Sequence, residues 1–193
     1  TLSATTLTFA SLADTTQLTA TVKDTDGTVI SGATVLWFTS SGSATVSSTG
    51  LVTSVADGPA TITATSGSAS ATASVTVAQV AATVTLSATT LTFASLADTT
   101  QLTATVTDAN GETFSGATVT WASSDTTKAT VSSTGLVTSV ADGTPTITAT
   151  SGSASATATV TVSQVASSVA LSESTLTFAS LADTTQLTAT VTD

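Results

Sequence analysis

The chain has 193 residues, with only Lys23 and Lys128 basic against 12 acidic residues, a net charge of −10, and no Cys, His or Met. Nucleic-acid binding is excluded because phosphate contacts need clustered Lys or Arg, electrostatic attachment to an anionic membrane is disfavoured on the same ground, and disulfides, zinc and transition-metal sites lack their ligands. With 40% hydrophobic and 7% charged residues the chain is too apolar for disorder, and its Thr and Ser set among Val, Ile and Leu suit pleated sheets with one wet face.

In chain order, strands are predicted over residues 7–9, 15–22, 34–38, 44–46, 51–55, 60–65 and 70–77. Each has period two. Leu18, Ala20 and Val22 point one way while Gln17, Thr19 and Thr21 point the other, and Ala71, Ala73, Val75 and Val77 share a face. Turn signals separate them: Asp24-Thr25-Asp26-Gly27, Ser48-Thr49-Gly50, Asp57-Gly58-Pro59 and Ser66-Gly67-Ser68. About seven short strands spaced some ten residues apart indicate a two-sheet sandwich. No segment carries a helical stripe, and no apolar run approaches the ~20 residues of a membrane span. The absence of an initiator Met and of a signal sequence reads as a mature or excerpted segment.

The pattern then repeats. TLSATTLTFASLADTTQLTATV at residues 1–22 recurs unchanged at 85–106, and LTFASLADTTQLTATV returns at 176–191. Phe9, Phe93 and Phe178 are equivalent, as are Trp37 and Trp121, and Gly50 and Gly135. The expected domains are 1–82, 83–167 and an incomplete third, 168–193, carrying only opening strands. The last is an excerpt boundary or a set of strands completed by another subunit. Each complete repeat is expected to anchor its core on Trp37 or Trp121, an indole burying about 200 Å2 without a disulfide beside it.

These residues resemble the bacterial immunoglobulin-like group 2 (BIG2) domain. The matching phrases are QLTATV at 101–106, VTWASSD at 119–125, ATVSSTGLVTSVADGTPTITATSG at 129–152 and ATATVTV at 156–162. The first repeat departs from the pattern at Trp37-Phe38-Thr39-Ser40-Ser41, which lacks the Asp. The resemblance implies an all-β chain of tandem immunoglobulin-like β-sandwiches in a linear array. It also implies a setting outside a bacterial cell, on its surface or on a virion, where such domains occur in surface proteins, adhesins and phage tail or decoration proteins. It does not fix one function, since sites are grafted on folds.

Candidate chemistry is sparse. Acid–base catalysis most often uses His, and the hydroxyls here have only carboxylates and two Lys to activate them. Thr127-Lys128 occurs in one repeat only. No catalytic residue, cofactor or enzymatic activity is expected. Calcium is the one metal with a case, at Asp24, Asp26, Asp108, Asn110 and Glu112, which look like the start of an oxygen-ligand loop. The preferred reading is a hairpin turn, in which Asp-Gly and Asn-Gly supply the positive φ.

Two further features bear on function. The linkers, residues 77–84 and 162–169, lack Gly and Pro and keep an apolar character, unlike flexible linkers. They predict a short, partly buried junction and a stiff string of domains. In the first repeat Leu36 and Phe38 flank Trp37, near Val29 and Ile30, where the second repeat has Thr120 and Ala122, and Thr113 and Phe114. That is an apolar patch suited to contact between chains, set against a covering loop or a tolerant sheet. The Thr-rich faces suit ordinary strands or O-linked sugars. The expected role is a non-catalytic extracellular fibre, stalk or surface filament whose partners are neighbouring copies or repeats. The alternative is an adhesin or phage module that holds a surface carbohydrate or receptor with its loops.

Overall fold

A computed structural model describes all residues, Thr1–Asp193, and contains strands and turns but no helix. The first repeat forms β1 (Thr6–Phe9), β2 (Thr15–Gln17), β3 (Leu36–Thr39), β4 (Ala44–Val46), β5 (Leu51–Ser54), β6 (Gly58–Ser66) and β7 (Ala69–Val77). They make two sheets, β1-β7-β6-β3 and β2-β5-β4. The second repeat forms β8 (Thr83–Leu86), β9 (Thr90–Phe93), β10 (Thr99–Gln101), β11 (Ala104–Thr107), β12 (Thr120–Ser123), β13 (Ala129–Val131), β14 (Leu136–Ser139), β15 (Thr146–Ser151) and β16 (Ala154–Val162). Its sheets are β12-β15-β16-β9, β10-β14-β13 and the pair β8-β11. The final segment contributes only β17 (Ser168–Leu171) and β18 (Ala189–Thr192), paired with each other.

Alternation of apolar and hydroxyl side chains produces these sandwiches. Along β7 and β16 every second residue turns inward, leaving Ala73, Val75 and Val77, and Ala158, Val160 and Val162, buried. They meet Phe9, Leu18, Val52 and Ile62 in one core and Phe93, Leu102, Val137 and Ile147 in the other. Each fully buried Leu or Ile contributes about 1.5–3 kcal/mol relative to exposure. In both repeats an early strand runs parallel to the last one, with Leu7 beside Val75 and Phe9 beside Val77, and Leu91 beside Val160 and Phe93 beside Val162. The pairs β2-β5, β4-β5, β3-β6, β6-β7, β10-β14, β13-β14 and β12-β15 are antiparallel.

One expectation is corrected. The single strand predicted over residues 15–22 breaks after Gln17, and its copy breaks after Gln101. In the second repeat β10 pairs with β14, whereas β11 pairs with β8, so the chain changes partner at Leu102. The Gln101 side chain stabilises the break, its Nε2 donating to the carbonyls of Leu102 and Thr134 at 2.7 Å each; Gln17 does the same to Leu18 and Thr49. Period-two patterning continues through such a crossing, because Leu102 and Val106 on either side of it are both buried, and so conceals it.

The indoles sit at the margin of the cores. Trp37 and Trp121 are half-buried and pack against clusters whose fully buried members are aliphatic. Each lies across a turn glycine. Gly50 has φ +91°, and a Cβ there would stand 2.7 Å from Trp37 Cζ2 and 2.5 Å from the Leu18 carbonyl oxygen. Gly135, at φ +88°, is placed alike against Trp121 and Leu102. The turn needs a residue that adopts positive φ, and the ring needs one without a side chain.

Packing divides the chain into two compact units. The first comprises Thr1–Thr85, Thr105–Thr118 and Ser151–Ser155; the second comprises Leu86–Ala104, Val119–Thr150 and Ala156–Asp193. The hairpin 105–118, which belongs to the second repeat by sequence, therefore belongs to the first unit by packing.

Candidate functional site

Within the first unit, one carboxylate gathers residues from both sequence repeats. Asp108 follows β11 and opens the turn Asp108-Ala109-Asn110-Gly111-Glu112. Its Oδ1 accepts the backbone N–H groups of Asn110 and Glu112, both at 3.0 Å, which closes the turn. Gly111 takes φ +83° there, and the Gly111 N–H donates to the Asp108 carbonyl. Oδ2 faces the other way and accepts the Leu12 N–H at 2.8 Å and Gln79 Nε2 at 2.9 Å. Asn110 completes the contact, its Nδ2 donating to the Leu12 carbonyl and to Asp14 Oδ1 at 2.8 Å each. Gln79 is held in turn by its N–H, which donates to Asp57 Oδ1 at 2.7 Å.

Asp108 is 1% exposed, which makes it the one buried carboxylate of the chain. Burial pushes its carboxyl up, but the hydrogen bonds from Gln79, Leu12, Glu112 and Asn110 outweigh that and hold it below the ordinary carboxylate value. A buried charge without a cation is stable only when its lone pairs are met by donors, and here four N–H groups supply them.

The Oδ2 contacts recur in the second unit, on an exposed carboxylate. Asp193 Oδ2 accepts Gln164 Nε2 at 2.8 Å and the Leu96 N–H at 3.1 Å. These two bonds, Gln164 first, lower the Asp193 carboxyl below its usual range. The Gln164 N–H is held by Asp142 Oδ1 at 2.9 Å, as that of Gln79 is by Asp57. Asp24 is the third equivalent. Its Oδ1 closes the same turn on the N–H groups of Asp26 and Thr28, while its Oδ2 takes no bond from the chain.

The residues singled out as calcium ligands thus fall in two turns, Asp24 and Asp26 in an exposed one and Asp108, Asn110 and Glu112 in one whose Asp108 is buried. No three acidic side chains converge anywhere in the chain. Leu36, Phe38, Val29 and Ile30 are 57%, 54%, 56% and 46% exposed. The linkers differ from each other: Ala81 and Val84 are buried while Val80 is exposed, whereas residues 163–169 are exposed throughout. Asp125, the residue absent from the first repeat, accepts the Thr127 hydroxyl and N–H, which lower its carboxyl; Ser41 in its place donates to the Pro59 carbonyl. Sequence reasoning singled out neither Gln79 nor Leu12. The signal was present in the repeat alignment, where Gln79 matches Gln164 and Asp24 matches Asp108 and Asp193.

Two packed sheets with a parallel ladder between an early strand and the last define an immunoglobulin-like β-sandwich. The chain belongs to the bacterial Ig-like domain (group 2) family, whose profile matches residues 1–77 and 80–162. Among solved structures it is similar to surface layer protein SbsC, domains 1–6, at 26% identity over 80% of this chain and 24% of that one, with a TM-score of 0.43. For SbsC domains 4 and 5 the values are 27% identity over 76% and 81%, with a TM-score of 0.42. Against the adhesin InvE of Yersinia pseudotuberculosis they are 15% identity over 83% and 57%, with a TM-score of 0.43. The chain spans about a quarter of the first of these, 24% of its length. No curated protein matches the chain. No helix is long and apolar enough to cross a membrane.

Proposed function

We propose that the chain is a non-catalytic structural segment of an extracellular or surface-exposed fibre or stalk, in which immunoglobulin-like domains follow one another as a stiff rod. The observation that carries this reading is the carboxylate contact at Asp108, repeated at Asp193, which engages a glutamine of each linker. A freely jointed chain has no use for linker side chains held by specific hydrogen bonds. Membership of the bacterial Ig-like family supports an extracellular setting, and the acidic, Lys-poor surface suits exposure to trypsin-like proteases. Small-angle X-ray scattering on the whole chain tests the rod. The expected profile has one long dimension and a cross-section of a single sandwich; the profile of independently tumbling domains would defeat the reading.

A second reading rests on the patch at Leu36, Phe38, Val29 and Ile30, which the first repeat alone presents. It supports lateral contact between copies, or an adhesive role toward a surface carbohydrate or receptor. Replacing Leu36 and Phe38 by Thr should lower self-association in sedimentation velocity if the contact is between copies. Binding to a glycan array that disappears in the same variant would instead favour adhesion.

A further inference from the structure

We propose that Asp108 is the positioning residue of a dedicated coupling surface between consecutive repeats. The Leu12 N–H and the Gln79 side-chain amide of one repeat form a socket for the turn Asp-x-(Asn/Asp)-Gly of the next. The inference goes beyond the rod reading and does not depend on an extracellular setting.

Four observations carry it. First, the set is duplicated: Leu12, Gln79 and Asp108 in one unit match Leu96, Gln164 and Asp193 in the other, with the same atoms engaged. Second, the turn does not need Oδ2. Asp24 closes the identical turn with Oδ1 alone, so the second oxygen of Asp108 is surplus to local structure and is spent on the socket.

Third, the socket loop is built at a cost. Ala13, Ala97 and Ala182, each following the socket Leu, hold φ of 60°, 61° and 68°, a left-handed conformation that a residue with a Cβ rarely takes. The third copy keeps it although neighbouring residues 175–178 lie outside any strand. The loop shape is therefore intrinsic to Ser-Leu-Ala-Asp, and the Leu N–H is presented whether or not a partner is bound.

Fourth, both socket groups are neutral N–H donors converging on one point. The partner they fit is an acceptor with a full negative charge and no hydrogen of its own. An Asp meets that demand and an Asn does not. Because the Asp108 anion is received by dipoles in a buried place rather than by Lys or Arg, that contact is screened little by salt. In a chain with net charge −10, this joins acidic repeats without a basic counterpart.

Amide hydrogen exchange on the full chain, read residue by residue by NMR, tests the proposal. Asp108→Asn keeps the Oδ1 acceptor of the turn and replaces Oδ2 by an NH2 donor that opposes the Leu12 N–H and Gln79 Nε2. The Leu12 amide should then exchange at least about tenfold faster, while the core amide of Val137 and the turn amide of Glu112 keep their protection. Gln79→Ala should speed Leu12 exchange in the same direction, and Asp24→Asn should leave it unchanged. Unchanged Leu12 exchange in Asp108→Asn overturns the proposal. Loss of Glu112 protection in step with Leu12 would also overturn it, since Asp108 would then act only within its own turn. A rise of Leu12 exchange with added sodium chloride in the unaltered chain would overturn the account of a socket screened little by salt.

Discussion

The segment LTFASLADTTQLTATV occurs at 7–22, 91–106 and 176–191, and the second and third copies behave differently. In the second, Thr90–Phe93 is a strand beside β16, Leu91 is 8% exposed and Phe93 5%. In the third, the equivalent stretch pairs with nothing, and Leu176 and Phe178 are 40% and 52% exposed. Residues 99–101 pair with β14, whereas their counterparts 184–186 lie outside any strand. Only Ala189–Thr192 pairs in both settings, because its partner β17, Ser168–Leu171, is present in the incomplete third repeat. β propensity in this sequence is thus a disposition to fit a half-buried pleated surface, realised where a neighbouring strand supplies one.

The largest effect that could break this comparison is at the phenylalanines. Phe93→Ala should cost about 3–5 kcal/mol in urea or thermal unfolding, as deletion of a buried ring does, while Phe178→Ala should stay within about 0.5 kcal/mol. Equal losses at the two sites would mean that the third copy is packed after all. Gly135→Ala comes next, at about 3 kcal/mol, since the added Cβ meets the Trp121 ring and the Leu102 carbonyl at positive φ; a variant melting like the parent would remove the ring-on-glycine packing.

Acid sharpens the contrast between Asp108 and an exposed carboxylate. The folded pKa of Asp108 is lowered, so its stabilising contribution is present above the unfolded carboxylate value near 3.9 and is lost as pH falls through the folded value. Urea midpoints followed from pH 7 to pH 2 should drop more in the parent than in Asp108→Asn. The smallest effect is at the left-handed alanines. Ala97→Gly should stabilise by about 1 kcal/mol, because glycine carries no penalty at that φ, and Ala182→Gly should leave the unfolding midpoint unmoved.

The sandwich was legible because alternation at Leu18, Val52, Ile62, Val75 and their copies is a local signal that survives into the fold. Strand ends were less so. The crossing at Gln17 and Gln101 depends on a side-chain amide meeting a distant carbonyl, which no short window records. The turns at Asp24 and Asp108 were readable from Asp-x-(Asp/Asn)-Gly, but the second use of the Asp108 carboxylate was not, since its donors Leu12 and Gln79 lie 96 and 29 residues away in sequence. The half-buried indoles reflect a similar limit. A Trp in a strand announces a core, whereas its place at the edge is set by the glycine turn it covers.

The parallel ladders have a mechanical consequence. Because Thr6–Phe9 lies alongside Ser74–Val77 in the same direction, tension applied at the two ends of the first sandwich draws these strands along their own axes in opposite senses. The backbone bonds between them are then loaded together in shear instead of being peeled in succession, and Thr90–Phe93 against Thr159–Val162 places the second sandwich under the same kind of load.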